Sequence, residues 1–493
     1  MSSEDFAVTP DFSEPGQGCD LTVGSIPRHL FFFALPMLAG SALQTGYSVV
    51  NAFWVGKLGT DAFTAVTETM FVFFVLMAAA IGLTMASGIL VAQAYGAKDW
   101  VQLRRAVHNS IILTGTVSFV CLVIGYFSAE WLLRSMKVPP SVIPIAVSYF
   151  RIFIWTIPPL FGIFLIASFL RGVGDSKTPL YFQAVFLAAT AVLDPILMFG
   201  WLGLPEMGLN GTAVATIITH FGAVIAICVY LHRKRHIVSP DWKRLRADFA
   251  TSMLLLKIGI PTMIQQVIIS VGMMVIIGLV NAFGEKSAAA YGAGMRIDQI
   301  AFLPAMTFGA AVSTLAGQNI GAKQYHRVKE VFRWGLILSC AMTLVAVIPA
   351  ISVPASMLRF FSDDPVVIAI GSGYLRIVGL GYVLLSIWFV CNGVINGAGH
   401  TFIPTVISLI ALWFIRIPIA AKLVRSTHRI EGIWYAVVIS FAIGTILSLI
   451  YYFSGRWKHP MTKKPVAAQS VENAEPVGEL LYNEITPINA DGE

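Results

Sequence analysis

The chain has 493 residues, 57% hydrophobic and only 12% charged, with a net charge of +7 and a mean hydropathy of +0.77. A soluble domain carries about 25% charged residues, so this composition excludes a soluble domain and implies a polytopic membrane protein. Five scattered cysteines (Cys19, Cys121, Cys228, Cys340, Cys391) offer neither a metal-ligand spacing nor a disulfide framework.

Residues 1–27 contain Glu4, Asp5, Asp11, Glu14 and Asp20 but no Lys or Arg. A secretory signal opens with a basic region, so this stretch reads as a disordered cytoplasmic tail. Twelve apolar stretches follow, near 31–56, 64–92, 107–128, 143–170, 179–200, 210–231, 252–283, 288–318, 334–354, 366–395, 402–423 and 433–454. Each is long enough to span a bilayer, and none alternates as a barrel strand does, so helices are predicted. The reading divides the chain into a six-helix lobe over 28–231, a basic linker over 232–251, a second six-helix lobe over 252–455 and a C-terminal tail over 456–493.

With the N-terminus placed inside, the inner loops and tail hold twenty Lys and Arg residues and the outer loops hold eight. That bias predicts both termini on the cytoplasmic side of the inner membrane. The basic run 233–246 then reads as a cytoplasmic linker, with nucleic-acid binding the weaker explanation.

One stretch stands apart. In LRGVGDSKTPLYFQAVFLAATAVLDP (170–195) a basic, Gly-rich turn leads through Pro179 into an apolar helix carrying a single carboxylate, Asp194, next to Pro195. At about 1.5 Å per residue, Asp194 lies roughly 22 Å from Pro179, past the midplane of a hydrocarbon core about 30 Å thick. A carboxylate at that depth is costly unless it is paired or faces a watery cavity, which marks it as a functional candidate. The plainer reading is a helix-end Asp hydrogen-bonded beside a proline kink.

The chain also repeats itself. Slid along itself until Pro36 meets Pro261, it matches in many other places without a gap. Gln93, Gly96, Ala97 and Lys98 then meet Gln318, Gly321, Ala322 and Lys323, Tyr149 and Arg151 meet Tyr374 and Arg376, and Gly172, Gly174 and Pro179 meet Gly397, Gly399 and Pro404. Whole motifs recurring at one fixed offset indicate an internal repeat. Six helices per repeat give both halves the same orientation, related by a pseudo-two-fold axis along the membrane normal, as in transporters built from parallel repeats. Rocking the two bundles about a central cleft would give alternating access.

These residues resemble the multidrug and toxic compound extrusion (MATE) transporters, in their DinF-like branch, over about 28–455. The resemblance rests on Pro36 with NAFWVGKLG (51–59), AQAYGAK (92–98), RGVGDSKTP (171–179), LDP (193–195), YGAGMRIDQIAFLPA (291–305), GQNIGAK (317–323) and INGAGHTFIP (395–404). It implies twelve helices in two lobes and export of amphipathic, often cationic, compounds in exchange for H⁺ or Na⁺, with no prosthetic cofactor. The family's first helix usually carries Asp where this chain has Asn51, and the family usually has Asn where this chain has Thr190.

Depth along the helices puts Asn51, Glu68, Arg151 and Asp194 in one layer of the first lobe, with Thr67, Thr69, Thr190 and Thr212 nearby. Thr190 lies one turn before Asp194 on the same face. Burial disfavours the charged form of an acid, so Glu68 and Asp194 are candidates to take up and release protons. Glu68 is the candidate replacement for the acid missing at Asn51. In the alternative, Arg151 neutralises one acid as a structural pair. Asn51, Thr190, Asp194 and Thr212 offer oxygens to Na⁺, but with one formal charge H⁺ is the preferred ion. Pro36 supplies a place where the first helix can bend.

The second repeat lacks this set: Asn51, Glu68 and Thr190 become Ile276, Ala293 and Ile415, and Arg416 precedes Pro418 where the first repeat has LDP. Arg296 and Asp298 are two residues apart and face different neighbours, so each is expected to pair with another helix. Coupling therefore belongs to the first lobe. Gln265 and Gln266 are candidates to bind substrate or to join helices. Met70, Met77, Met263, Met273, Met274, Met295 and Met306, with Trp54, Phe71, Phe73 and Phe74, are candidates to line an adaptable apolar cleft. His220 reads as a packed histidine.

No P-loop, catalytic triad or metal motif is present. The sequence reads as a monomeric secondary antiporter embedded in the bilayer and acting on small amphipathic molecules. A lipid or lipid-linked precursor flippase on the same plan is the alternative, for which Arg296, Arg376 and Arg416 would supply cationic groups. An intramembrane enzyme using Glu68 and Asp194 is a further rival, against which the parallel repeat argues.

Overall fold

A computed structural model describes residues 18–136, 140–241 and 245–458. Inside lipid a backbone must satisfy its own N–H and C=O groups, so each apolar stretch closes into a helix. Twelve described helices are long and apolar enough to span: α1 (Ile26–Gly56), α2 (Thr60–Gly96), α3 (Trp100–Ser135), α4 (Ile143–Gly172), α5 (Lys177–Phe199), α6 (Leu209–Arg233), α7 (Phe249–Asn281), α8 (Glu285–Gly321), α9 (Tyr325–Ser352), α10 (Pro365–Gly397), α11 (Phe402–Thr427) and α12 (Glu431–Phe453). Most run a turn or so beyond the predicted apolar stretches, because polar end residues stay helical where water can solvate them. A short helix, Pro354–Arg359, joins α9 to α10. Within α11 the residues Ile410–Arg416 widen into a π-helical stretch.

The helices form two lobes, α1–α6 and α7–α12, but the first helix of each repeat belongs to both. Leu30 and Phe33 at the start of α1 are buried among Phe308, Ala311 and Val331 of the second lobe. Their repeat equivalents at the start of α7, Leu255 and Ile258, are buried among Ala86, Ile89 and Val107 of the first lobe. Beyond Pro36, α1 returns to its own lobe, where Gln183 Nε2 of α5 donates to Gly40 O (3.1 Å). Beyond Pro261, α7 does the same, with Gln265 Nε2 donating to Ser408 Oγ of α11 (2.8 Å). Each crossing helix therefore changes lobe at its proline.

The lobes meet at the face where α1 begins and α12 ends, called here the N-face. Gln93 Nε2 of α2 donates to Gly397 O (2.8 Å), and Gln318 Nε2 of α8 donates to Gly172 O (2.9 Å). Both glutamines are buried. The helices touch backbone to backbone here. A Cβ on Gly96 would lie 1.9 Å from Gln318 O, and one on Gly321 would lie 2.0 Å from Gln93 O.

The predicted N-terminal tail ends earlier than expected. Residues 18–25 pack across the N-face rather than trailing from it: Leu21 is 2% exposed, and its N–H donates to Gln318 Oε1 (3.0 Å). The apolar side chain of Leu21 and the free glutamine oxygen account for the docking. Residues 1–17 and the C-terminal tail from 459 onward lie outside the described residues. The linker is tethered, with Asp248 N–H and Ser252 Oγ both bonded to Asn109 Oδ1 of α3 (2.7 and 3.0 Å).

Candidate functional site

The turn before α5 is built by its sequence. Gly174 adopts φ +87°, a conformation side-chain-bearing residues resist, and Asp175 Oδ1 accepts the N–H groups of Lys177 and Thr178 (3.0 Å each). This starts α5 and directs its later turns against α1 and α6. Asp194 is 0% exposed there. Its Oδ2 accepts from the Tyr47 hydroxyl and from Asn51 Nδ2, both at 3.1 Å and both from α1. Its Oδ1 has no partner among the described residues. The buried Tyr149 lies within electrostatic reach of Asp194, and its hydroxyl meets that of Thr212.

Of the predicted set, then, Asn51 is brought to Asp194, whereas Thr212 meets Tyr149 and makes no bond to the carboxylate among the described residues. Thr190 is not brought to the carboxylate: its hydroxyl donates to Phe186 O (2.7 Å) and meets Thr219 Oγ1 (2.8 Å). The turn before Asp194 thus ties α5 to α6. Glu68 is half-buried on α2, with no bond to Asp194 or Arg151 among the described residues. The Arg151 guanidinium lies 5.6 Å over the Tyr126 ring, and its buried Nε has no partner among the described residues. Neither Glu68 nor Asp194 is paired with Arg151 among the described residues; the guanidinium lies over Tyr126 of α3 instead. Thr67 and Thr69 return their hydroxyls to their own helix, at Phe63 O and Ala65 O. His220 is buried, with Nδ1 at 2.7 Å from Thr216 O and its ring against Phe186.

Tyr47 escaped sequence reasoning, although it sits one turn before Asn51 on the same helix face, the spacing at which two side chains reach one partner. The second lobe holds a further buried carboxylate. Asp298 of α8 accepts the hydroxyls of Tyr374 and Tyr382, both of α10. Tyr374 is the repeat equivalent of Tyr149, but Tyr374 bonds its aspartate directly whereas Tyr149 meets Thr212 and only neighbours Asp194, and the two aspartates sit on non-equivalent helices. Arg296, two residues away, is exposed. Arg416 is buried, with Nε on Ser440 Oγ (2.8 Å) and its guanidinium 4.9 Å from the Phe441 ring centre.

Among the cleft candidates, the Gln265 amide is taken up by α11, at Pro404 O and Ser408 Oγ, so it joins helices. Gln266, Met263 and Met273 are half-buried on α7. Met77 is buried in the first lobe and Met295 packs on the core of the second, whereas Met274 and Met306 are 65% and 55% exposed. Trp54 packs edge-on against Phe199 and Trp201, and Phe73 against Phe153. The side chains of Phe71 and Phe74 lie outside the described residues.

The MatE family profile matches twice, over residues 36–196 and 261–421, and the second match is displaced from the first by the same offset as the repeat. The chain belongs to the MatE family. Family members are transporters, so this MatE chain is a multi-pass membrane transporter and not an enzyme. It is 33% identical to the probable multidrug resistance protein YoeA of Bacillus subtilis, covering 87% of this chain and 94% of that protein. It is 32% identical to the probable multidrug resistance protein YpnP of the same organism, with 89% and 97% covered. The fold superposes on a mutant of the Vibrio cholerae MATE transporter VcmN with a TM-score of 0.82 at 21% identity, covering 88% of this chain and 98% of that one. A MOP superfamily transporter from Pyrococcus furiosus gives 0.84 at 19%, with 90% and 100% covered.

Proposed function

We propose that this MatE chain is a secondary efflux transporter for small amphipathic compounds, driven by protons that move inward and load Asp194 on the way. It resides in the inner membrane with both termini, and hence the N-face, on the cytoplasmic side. The names of its Bacillus relatives support the substrate class, and the inside excess of Lys and Arg supports the orientation.

The observation that carries the coupling is the divided carboxylate. Asp194 Oδ2 is gripped by two donors from α1 while Oδ1 is buried and without a partner among the described residues. A proton arriving at Oδ1 neutralises the group, and the two bonds to Oδ2 lose their charge assistance. Hydrogen bonds to an ionised group are about twice as strong as neutral ones, so protonation loosens the upper half of α1 from α5. The lower half of α1 lies in the core of the other lobe. The proton at Asp194 is thereby linked to lobe packing through a single helix that bends at Pro36.

The donor chemistry favours H⁺ over Na⁺. A hard cation needs several oxygen ligands, but Asp194 is met by an amide N–H₂ and a hydroxyl that donates, and the Thr190 oxygen is engaged elsewhere. The test is dye efflux from everted vesicles under an imposed ΔpH or ΔNa⁺, with Asp194→Asn and Glu68→Gln alongside. ΔpH-driven efflux that disappears in Asp194→Asn and persists in Glu68→Gln is expected. Efflux driven by ΔNa⁺ alone, or undiminished in Asp194→Asn, overturns the assignment.

A further inference from the structure

The segment 18–25 makes bonds that belong to neither lobe alone. On the first lobe, Cys19 N–H donates to Val173 O (3.0 Å). Its own carbonyl runs so close to Gly174 that a Cβ there would stand 2.3 Å from Cys19 O. On the second lobe, Leu21 N–H donates to Gln318 Oε1, Asn319 Nδ2 donates to Leu21 O (3.3 Å), and Arg327 Nη2 donates to Gly24 O (3.1 Å). Arg327 Nε in turn holds Asn319 Oδ1 (3.1 Å).

Gln318 is the hub. Its oxygen receives the strap and its nitrogen reaches Gly172 of the other lobe, so one buried amide is completed only when all three segments are together. Parting the lobes at the N-face pulls Val173 and Gly172 away from Gln318 and Asn319. The strap must then release one set of anchors and leave buried polar groups to be resolvated. Leu21, seated in the second lobe's core with Leu30 and Phe33, resists leaving.

We infer that residues 18–25 are a latch that holds the N-face closed, with Gln318 and Arg327 as its catch. Its release is a step of each transport cycle in which that face opens. The inference rests on the alternating-access reading above and adds to it a segment outside both six-helix repeats.

The test uses the full chain in proteoliposomes. With all five native cysteines replaced by Ala, Thr22→Cys places a single thiol at a buried position of the strap, and its rate of maleimide labelling reports release. Separately, in the same cysteine-free background, spin labels at Ala97→Cys and Ala322→Cys, repeat-related positions at the ends of α2 and α8, report N-face opening. Arg327→Met removes two charge-assisted bonds and keeps the aliphatic stem. It is expected to speed labelling at Thr22→Cys roughly tenfold and to enlarge the long-distance population of the label pair. Deleting residues 2–24 is expected to enlarge that population further. Unchanged labelling at Thr22→Cys in Arg327→Met overturns the latch. So does a distance distribution indifferent to both variants while the parent's still responds to a pH gradient. A parent distribution that never responds instead overturns the alternating-access reading, and the latch falls with it.

Discussion

Gln93 and Gln318, equivalent positions of the two repeats, perform the same act in opposite directions: each donates its side-chain amide across the lobe boundary to the carbonyl of a glycine, Gly397 and Gly172, which are themselves repeat equivalents. The repeat is therefore visible as a physical exchange at the N-face, where each half supplies one donor and one acceptor. Closure there is symmetric in these two bonds, and the strap adds a further bond at Gln318.

The glycines beside these glutamines set how near the lobes can come. Gly96→Ala and Gly321→Ala each place a methyl about 2 Å from opposing backbone, which no rotamer relieves. Either variant is expected to hold the N-face apart, to shift the Ala97–Ala322 label pair to longer distance, and to lower efflux by roughly tenfold or more. Parent-like efflux in both would show that the N-face does not need this approach.

Tyr47 is the less obvious of the two donors to Asp194. Tyr47→Phe removes one hydroxyl and leaves the ring, and a hydrogen bond to a charged group contributes about 1.5–3 kcal/mol. ΔpH-driven efflux is expected to fall roughly ten- to a hundred-fold while dye binding to the purified protein stays near the parent value. A loss of binding with turnover intact would reassign Tyr47 to the substrate.

Asp298 is read as a structural tie. Asp298→Ala strands two buried tyrosine hydroxyls, at a cost of about 1–3 kcal/mol for each group left unsatisfied. A clear fall in melting temperature in detergent is expected, larger than for Asp194→Ala. If Asp298→Asn instead preserves the melting temperature and abolishes ΔpH-driven efflux, the second lobe also carries a coupling acid.

Outside the membrane, Asp248 caps α7 by accepting the N–H and hydroxyl of Thr251. The Thr251 hydroxyl is the main cause holding its carboxyl below the usual range. A carboxyl depressed in the folded state stabilises fully above its unfolded value, about pH 4, and the contribution fades as pH falls through the depressed folded value. Asp248→Ala is expected to melt below the parent at pH 7, by about 1 kcal/mol as for other N-caps. The difference should shrink below about pH 4, as measured by thermal unfolding across pH. A gap that is constant with pH would remove the carboxylate from the argument.

Pro36 and Pro261 mark where α1 and α7 change lobe. Pro→Ala at either site restores a helical N–H and stiffens the crossing. Both variants are expected to fold and to slow efflux several-fold, with comparable effects because the two crossings are equivalent. An effect confined to Pro36→Ala would mean that α7 does not bend during the cycle.

The membrane, the twelve helices, the repeat and Asp194 were all legible in the sequence, because they follow from short-range quantities: how many apolar residues run together, and what a lone carboxylate costs in lipid. Who meets whom was not. These helices are apolar nearly all round, so periodicity does not say which way a side chain faces. Thr190, on the expected face, turned to Thr219, Arg151 turned to Tyr126, and Tyr47 was overlooked. The exchange of half-helices between lobes, the docking of residues 18–25 and the tyrosine pair around Asp298 join residues tens to hundreds of positions apart. Only the packed tertiary structure, in which most buried polar groups find a partner elsewhere along the chain, decides those pairings.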